Sequence, residues 1–311
     1  MSKFLIVVVG PTAIGKTALS IKLANHFKTE IISCDSRQFF KEMKIGTAVP
    51  SDEELASAEH HFIQNKSIFE NYTVGDFEKE ALLKTDSLFE ANDFAILVGG
   101  SGLYVNAVLQ GFDTFPEIDS EIRAEVQHSY ETLGLQYLQE KLEETDPDYY
   151  SFILQDNPQT LQNPQRLMRF VEVGLGTKKP YSSFLNQEKK QRNFTPIIIG
   201  LDAERAVLYD RINLRVDQMI ADGLVEEAKG VYENRNLNAL QTVGYRELFD
   251  YFDGSITLDF AIEEIKKNTR RFAKRQLTWF RRTENVTWFD YETSLSTIVE
   301  TINFKINSQP N

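Results

Sequence analysis

The sequence predicts a doubly wound α/β fold on a parallel sheet, with an all-α segment inserted in it, and three observations predict it. Short, continuously apolar runs alternate with stretches of helical spacing. The first run feeds a glycine-rich turn, GPTAIGKT at Gly10 to Thr17, which opens a helical pattern. From Phe112 to Asn193 the apolar runs stop, and helical spacing continues between Pro116, Pro147, Pro158, Pro164 and Pro180.

Each element follows in order. Phe4 to Val9 is uniformly apolar and reads as a strand buried on both faces. Lys16 to Phe27 carries apolar residues three and four apart, the spacing of a helix with one buried face. Glu30 to Cys34 is a second strand, Phe77 to Glu90 a second helix and Phe94 to Val98 a third strand, joined by right-handed crossovers. Ile197 to Gly200 returns the chain to the sheet; helical spacing then runs from Glu204 to Phe252, and a basic helix covers about Leu258 to Arg282. The strand, GxxxxGK[ST] and helix order makes the core a P-loop NTPase-like sheet at 1–112 and 194–311, with a helical insertion domain at 113–193 and additional C-terminal helices. The tail, Asn307 to Asn311, is expected to fray.

Composition narrows the function. With 41% apolar and 12% aromatic residues the chain can bury a core, which excludes a disordered protein. Its one cysteine, Cys34, excludes an intramolecular disulfide, and with His26, His60, His61 and His128 it cannot complete a Cys2His2 zinc site. No leader pattern and no long apolar run is visible, so a cytoplasmic protein without a membrane segment is expected. The net charge of −12 argues against nucleic acid on average, but the charge is segregated. KKNTRRFAKRQLTWFRR, Lys266 to Arg282, holds eight basic and no acidic residues, leaving a balance of −20 elsewhere. Such a helix attracts a polyanion locally, or is a solvated face.

The loop is a phosphate site by construction. In the run Gly10, Pro11, Thr12, Ala13, Ile14, Gly15, the two glycines permit the backbone to turn the N–H groups, which all but Pro11 carry, toward an anion; Lys16 adds a charge and Thr17 can ligate Mg²⁺. ATP chemistry commonly adds an aspartate at a later strand end. Here Phe94 to Val98 runs instead into Gly99-Gly100-Ser101-Gly102, and the carboxylate stands at Asp35 after the second strand. Both lie at carboxyl ends of strands beside the loop.

Further motifs lie in order: DSRQFF at Asp35, GTAVPS at Gly46, HHFI at His60, LVGGSGLY at Leu97, NPQRLMRFVEV at Asn163, TVGYRE at Thr242 and TRRFAKRQLTWFRR at Thr269. With GPTAIGKT, these resemble the bacterial tRNA dimethylallyltransferases nearly end to end. The resemblance implies transfer of a dimethylallyl group from dimethylallyl diphosphate to the exocyclic amine of an adenosine next to the tRNA anticodon. The loop would then hold a leaving group, and no phosphate would be transferred. Asp35 matches the general base, with Lys16, Ser101 and Arg215 in the catalytic set; Arg211, one helical turn from Arg215, could reach the diphosphate as well. The tRNA contacts implied are Asp35, Ser36, Arg37 and Gln38, then Ser101 and Arg123, then Gln165, Arg166, Leu167, Met168 and Arg169, and finally Gln241, Thr242, Val243, Gly244, Tyr245 and Arg246. Arg166 and Arg169, three apart after a Pro164 helix start, can grip phosphates together.

The sequence departs from the family's commonest residues at Ile14, Val49, Ser101, Glu59 and Gln64; Ser101 keeps a hydroxyl, and Gln241 lacks a charge that some relatives carry. His60 and His61, being adjacent, point apart and suit a structural or pocket role better than a shared metal. Trp279 and Phe280 read as core residues in preference to a base-stacking pair. A monomer is expected. The competing readings are a P-loop kinase of a small metabolite or nucleotide, and an RNA-binding NTPase switch.

Overall fold

The computed structural model describes residues 2–111, 113, 115–185 and 190–308, so that Asn311 and its two predecessors in the expected frayed tail lie outside the described residues. Two compact units are present, one made of 1–110 and 191–311 and the other of 111–190.

In the first unit the chain runs β1 (Phe4–Val9), α1 (Lys16–Phe27), β2 (Ile31–Ser33), α2 (Asp52–Ser57), β3 (His60–His61), α3 (Val74–Ala91), β4 (Phe94–Gly99) and α4 (Gly102–Gln110). The second unit supplies α5 (Ser120–Leu133), α6 (Leu135–Thr145), α7 (Pro147–Asp156) and α8 (Pro164–Thr177). The first unit resumes with β5 (Thr195–Asp202), α9 (Arg205–Ala221), α10 (Leu224–Gly230), α11 (Tyr245–Phe252), α12 (Leu258–Phe280), β6 (Thr287–Asp290) and α13 (Leu295–Asn307).

The strands form one parallel sheet in the order β3-β2-β4-β1-β5-β6. All six residues of β1 are buried because the strand is covered on both faces. Phe4, Ile6 and Val8 join one apolar cluster with α1, α9 and α13, while Leu5, Val7 and Val9 join the opposite cluster with α3 and α4. Each such side chain contributes roughly 1.5–3 kcal/mol by leaving water. Cys34, just past β2, is fully buried in the second cluster. A third cluster joins α9, α10, α11 and α12 around Tyr245.

The second unit has its own core of Val126, Leu138, Leu142, Ile153, Leu167, Phe170 and Val171. Its prolines mark starts as well as breaks. Asp146 and Asn163 cap α7 and α8 by accepting from the Tyr149 and Arg166 N–H groups, with Pro147 and Pro164 at the first helical position, where a missing N–H costs nothing.

Two edge strands go beyond the four expected. β3 is a two-residue His-His strand and β6 is half-buried Thr-Trp-Phe-Asp, so neither presents the apolar run by which an interior strand is read. Among the described residues no helix is long and apolar enough to cross a membrane.

Candidate active site

The glycine loop is built where β1 ends between the ends of β4 and β5, Val9 lying beside Gly99 and Gly200. Gly10 takes φ 148°, and a Cβ there would lie 2.6 Å from the Leu201 carbonyl oxygen, so only glycine lets the loop leave the sheet so close to β5. Ala13, at φ 64°, also turns in the left-handed region. Four contacts hold the loop. Lys16 Nζ donates to the Pro11 carbonyl at 2.7 Å, and Gln276 Oε1 accepts from the Thr12 N–H at 2.8 Å. Arg211 Nε donates to the Ala13 carbonyl at 2.8 Å, and Arg215 Nη1 donates to Thr12 Oγ1 at 3.3 Å.

Around the loop lies a cavity of about 700 Å³, lined by the loop, Asp35, segment 44–51, His60, Arg211 and Arg215. Lys16, Lys44, Arg211 and Arg215 bring four cations to it against the carboxylates of Asp35, Glu54 and Asp222. Burial, with Arg215 nearby, pushes the Lys16 ammonium down to about 8. Burial and then Arg211 likewise draw the Arg215 guanidinium below the ordinary arginine range. Such crowding is costly without an anion and is relieved by one.

A second cavity of about 320 Å³ shares Thr12, Asp35, Thr47, Ala48, Arg215 and Met219 with the first. Its other walls include the apolar Val216, Leu224, Val243, Ile265 and Phe272, with Ser101, Gln241, Arg246 and Arg275 among the polar ones. Asp35 stands at the junction. One of its carboxylate oxygens accepts from the Arg37 N–H at 3.0 Å, and the other accepts no hydrogen bond among the described residues. Ser101, from the end of β4, accepts from the Ser36 N–H and donates to Ser36 Oγ, both at 3.2 Å. The two strand ends therefore bring a carboxylate and a hydroxyl to the wall of one cavity.

The IPP transferase family model matches residues 38–283, which is most of the chain. The tRNA dimethylallyltransferase of Flavobacterium johnsoniae is 71% identical over 96% of this chain and 97% of its own length. That of Christiangramia forsetii is 56% identical over 99% of this chain and 100% of its own length. This chain belongs to the IPP transferase family. Among solved structures, the full-length tRNA isopentenylpyrophosphate transferase of Bacillus halodurans superposes with a TM-score of 0.70 at 39% identity, covering 99% of this chain and 96% of that one. A eukaryotic dimethylallyltransferase acting on tRNA gives a TM-score of 0.77 at 25% identity, over 99% and 81% of the two chains.

Within this IPP transferase the residues singled out by sequence fall into three groups. Gly10 to Thr17, Asp35, Ser101, Arg211 and Arg215 line the two joined cavities or shape the loop. Ser36, Arg37, Gln241, Thr242, Val243, Gly244 and Arg246 line the apolar cavity. Gln38 lines the loop-side cavity and spends its amide on the protein, donating to the Thr47 and Ala48 carbonyls at 3.1 and 2.9 Å, and so holds a segment of the cavity wall. Arg123, Gln165, Arg166, Met168 and Arg169 belong to the second unit, where Arg123 and Arg169 both approach the buried Glu172 at 3.6 Å.

Three expectations are corrected. The Leu167 and Tyr245 side chains are fully buried, Leu167 in the core of the second unit and Tyr245 with its hydroxyl on Glu227 at 2.7 Å, so neither side chain is free to touch tRNA. Arg166 and Arg246, next to them on the same helices, are exposed because a helix turns about 100° per residue. Trp279 is not core: it is 42% exposed, its indole packed where a Gly102 Cβ would lie 2.2 Å away, whereas Phe280 is fully buried. The basic helix is also partly neutralised. Lys266 pairs with Asp217 and Glu263, Lys267 with Glu264, and Arg281 with Asp202.

His60 and His61 do part. His60 Nδ1 meets the Ala58 carbonyl at 2.8 Å and its ring lines the phosphate-side cavity, while His61 Nε2 meets Glu30 at 2.6 Å. Two site-shaping residues escape sequence reading. Glu227 accepts from the Ile45 and Gly46 N–H groups at 2.7 and 2.8 Å, and Gln276 grips the loop. A glutamine inside a run of eight cations, and a glutamate on a short helix, carry no local signal of either role.

Proposed function

We propose that this protein transfers a dimethylallyl group from dimethylallyl diphosphate to the exocyclic amine of an adenosine next to the tRNA anticodon, releasing diphosphate. The observation that carries this reading is the pair of joined cavities: a cationic one around the loop and an apolar one beyond it, with Asp35 at the junction. A donor with an anionic head and a five-carbon tail needs both, and a nucleophile needs a proton acceptor where they meet.

The chain's own residues would act as follows. Loop N–H groups, Lys16, Arg211 and Arg215 bind the diphosphate and offset the charge that grows on the departing oxygen as the allylic carbon–oxygen bond breaks. The amine of adenine is a weak nucleophile, and Asp35 takes its proton as the carbon–nitrogen bond forms. Ser101 orients the base beside Asp35. The Thr17 hydroxyl lines the cavity and makes no hydrogen bond among the described residues, so it fits a hard cation such as Mg²⁺. Bound there, the ion would supply further charge stabilisation to the diphosphate. An anticodon-loop adenosine is unpaired, so extruding it costs only a few kcal/mol. The helical unit of about 113–193 would contribute Arg123, Arg166 and Arg169 to tRNA phosphates. We also propose that it acts as a monomer in the cytoplasm.

Incubation with unmodified tRNA and dimethylallyl diphosphate, followed by mass spectrometry of the nucleosides, tests this reading. Prenylated adenosine, with diphosphate release that requires both substrates, is expected. Transfer of the γ-phosphoryl of ATP to a small acceptor, with the tRNA unchanged, would establish the kinase reading instead.

A further inference from the structure

We propose that Gln276 is a positioning residue that sets the diphosphate cradle from helix α12. Gln276 is buried, and its amide is spent on two partners far away in the chain. Oε1 accepts from the Thr12 N–H at 2.8 Å, and Nε2 donates to the Gly100 carbonyl at 3.0 Å. The orientation of the amide is fixed by chemistry, because a backbone N–H only donates and a carbonyl only accepts. A primary amide is the uncharged side chain that offers both on one rigid plane.

The grip falls at a strained point. Ala13 holds φ 64°, a region that non-glycine residues avoid, and such a residue persists only where its surroundings over-determine it. Gln276 holds the Pro11–Thr12 peptide, one residue before Ala13, and Arg211 holds the Ala13 carbonyl after it. The loop is thereby fixed in its anion-binding turn before any anion arrives, and preorganised donors bind without reorganising. The same stretch of α12 carries Phe272 and Arg275 on the wall of the apolar cavity and packs Trp279 against Gly102. One helix therefore registers the loop, the end of β4 and the apolar cavity against each other.

The inference deepens the prenyl-transfer reading, but its first test does not need it. Inorganic diphosphate with Mg²⁺ is titrated into the whole chain by calorimetry, and tRNA binding is measured alongside. Gln276→Leu is expected to weaken diphosphate at least about tenfold, as for loss of a buried hydrogen-bonded partner, and to leave tRNA affinity within about twofold. Gln276→Glu supplies the signature. A protonated carboxyl reproduces the donor and acceptor of the amide, whereas an ionised one keeps the acceptor for the Thr12 N–H but sets its other oxygen, an acceptor, against the Gly100 carbonyl. Diphosphate affinity of that variant, taken relative to the wild type at each pH, should recover as pH falls from about 8 to about 5.5.

Diphosphate binding by the Leu variant within about twofold of wild type overturns the proposal, as does an equal loss of diphosphate and tRNA affinity. A Glu variant whose relative affinity ignores pH overturns it too, and carries the test alone if the Leu variant does not fold. In turnover assays a positioning role lowers kcat with the KM for tRNA unchanged. Absence of prenyl transfer by the wild type would remove the functional reading and leave the diphosphate result standing.

Discussion

At the scale of single residues, the site sets four cations against three carboxylates, of which Asp35 alone lines both cavities. Asp35 has an oxygen without a hydrogen bond among the described residues, at the junction of the cavities, which is what a proton acceptor needs. Asp35→Asn should lower single-turnover prenyl transfer by roughly 10²–10⁴-fold, the usual worth of a general base, while tRNA affinity holds. Unchanged turnover would remove the assignment. Lys16 allows a sharper test, because burial brings its ammonium down to about 8. A bound diphosphate favours the charged form, so above about pH 8 binding must take up a proton, and affinity should fall by up to about tenfold per pH unit. Below that it should be flat from this group. Lys16→Arg, which stays charged, should abolish the slope when measured by calorimetry. The sign is opposite for stability: the unfolded chain keeps the lysine proton up to about 10.5, so the ligand-free fold gains stability as pH rises from about 8 toward that value.

At the scale of elements, legibility tracked how locally each element is specified. The span of α1, Lys16 to Phe27, follows from apolar spacing and the loop before it, and the interior strands β1, β2, β4 and β5 follow from their apolar runs. The edge strands β3 and β6 gave no such run, since one is His-His and the other is half exposed. What α12 does was legible only in part. Its charge is local and visible, but Gln276 meets Thr12 from 264 residues away, and no periodicity encodes that. The same distance problem hid Glu227, Tyr245 and the pairing of Lys266 with Asp217 and of Arg281 with Asp202, whereas the pairs with Glu263 and Glu264 are three residues away on the same helix. Arg275 keeps its guanidinium in the cavity wall with Phe272 beneath it, and Lys274 and Arg282 have no acidic partner among the described residues. If this helix meets tRNA phosphates, raising salt from about 50 to about 200 mM should weaken tRNA binding at least about tenfold in filter-binding or anisotropy measurements. A flat response would leave α12 a structural element only.

For the molecule as a whole, segregated charge reconciles an acidic chain with a polyanionic substrate, and the family motifs are legible without the packing. The details that escaped are those in which a motif residue is turned inward, as at Leu167 and Tyr245, because a motif marks position and only packing decides direction. One buried atom has a practical use. Cys34 carries the only sulfhydryl of the chain, and burial first, with Asp35 beside it, holds its proton on. The native protein should therefore ignore a chromogenic thiol reagent, and colour should develop only as fast as the sheet comes apart. Substrate analogues that retard that colour would report their own occupancy, which gives this enzyme a label-free stopwatch supplied by a single sulfur.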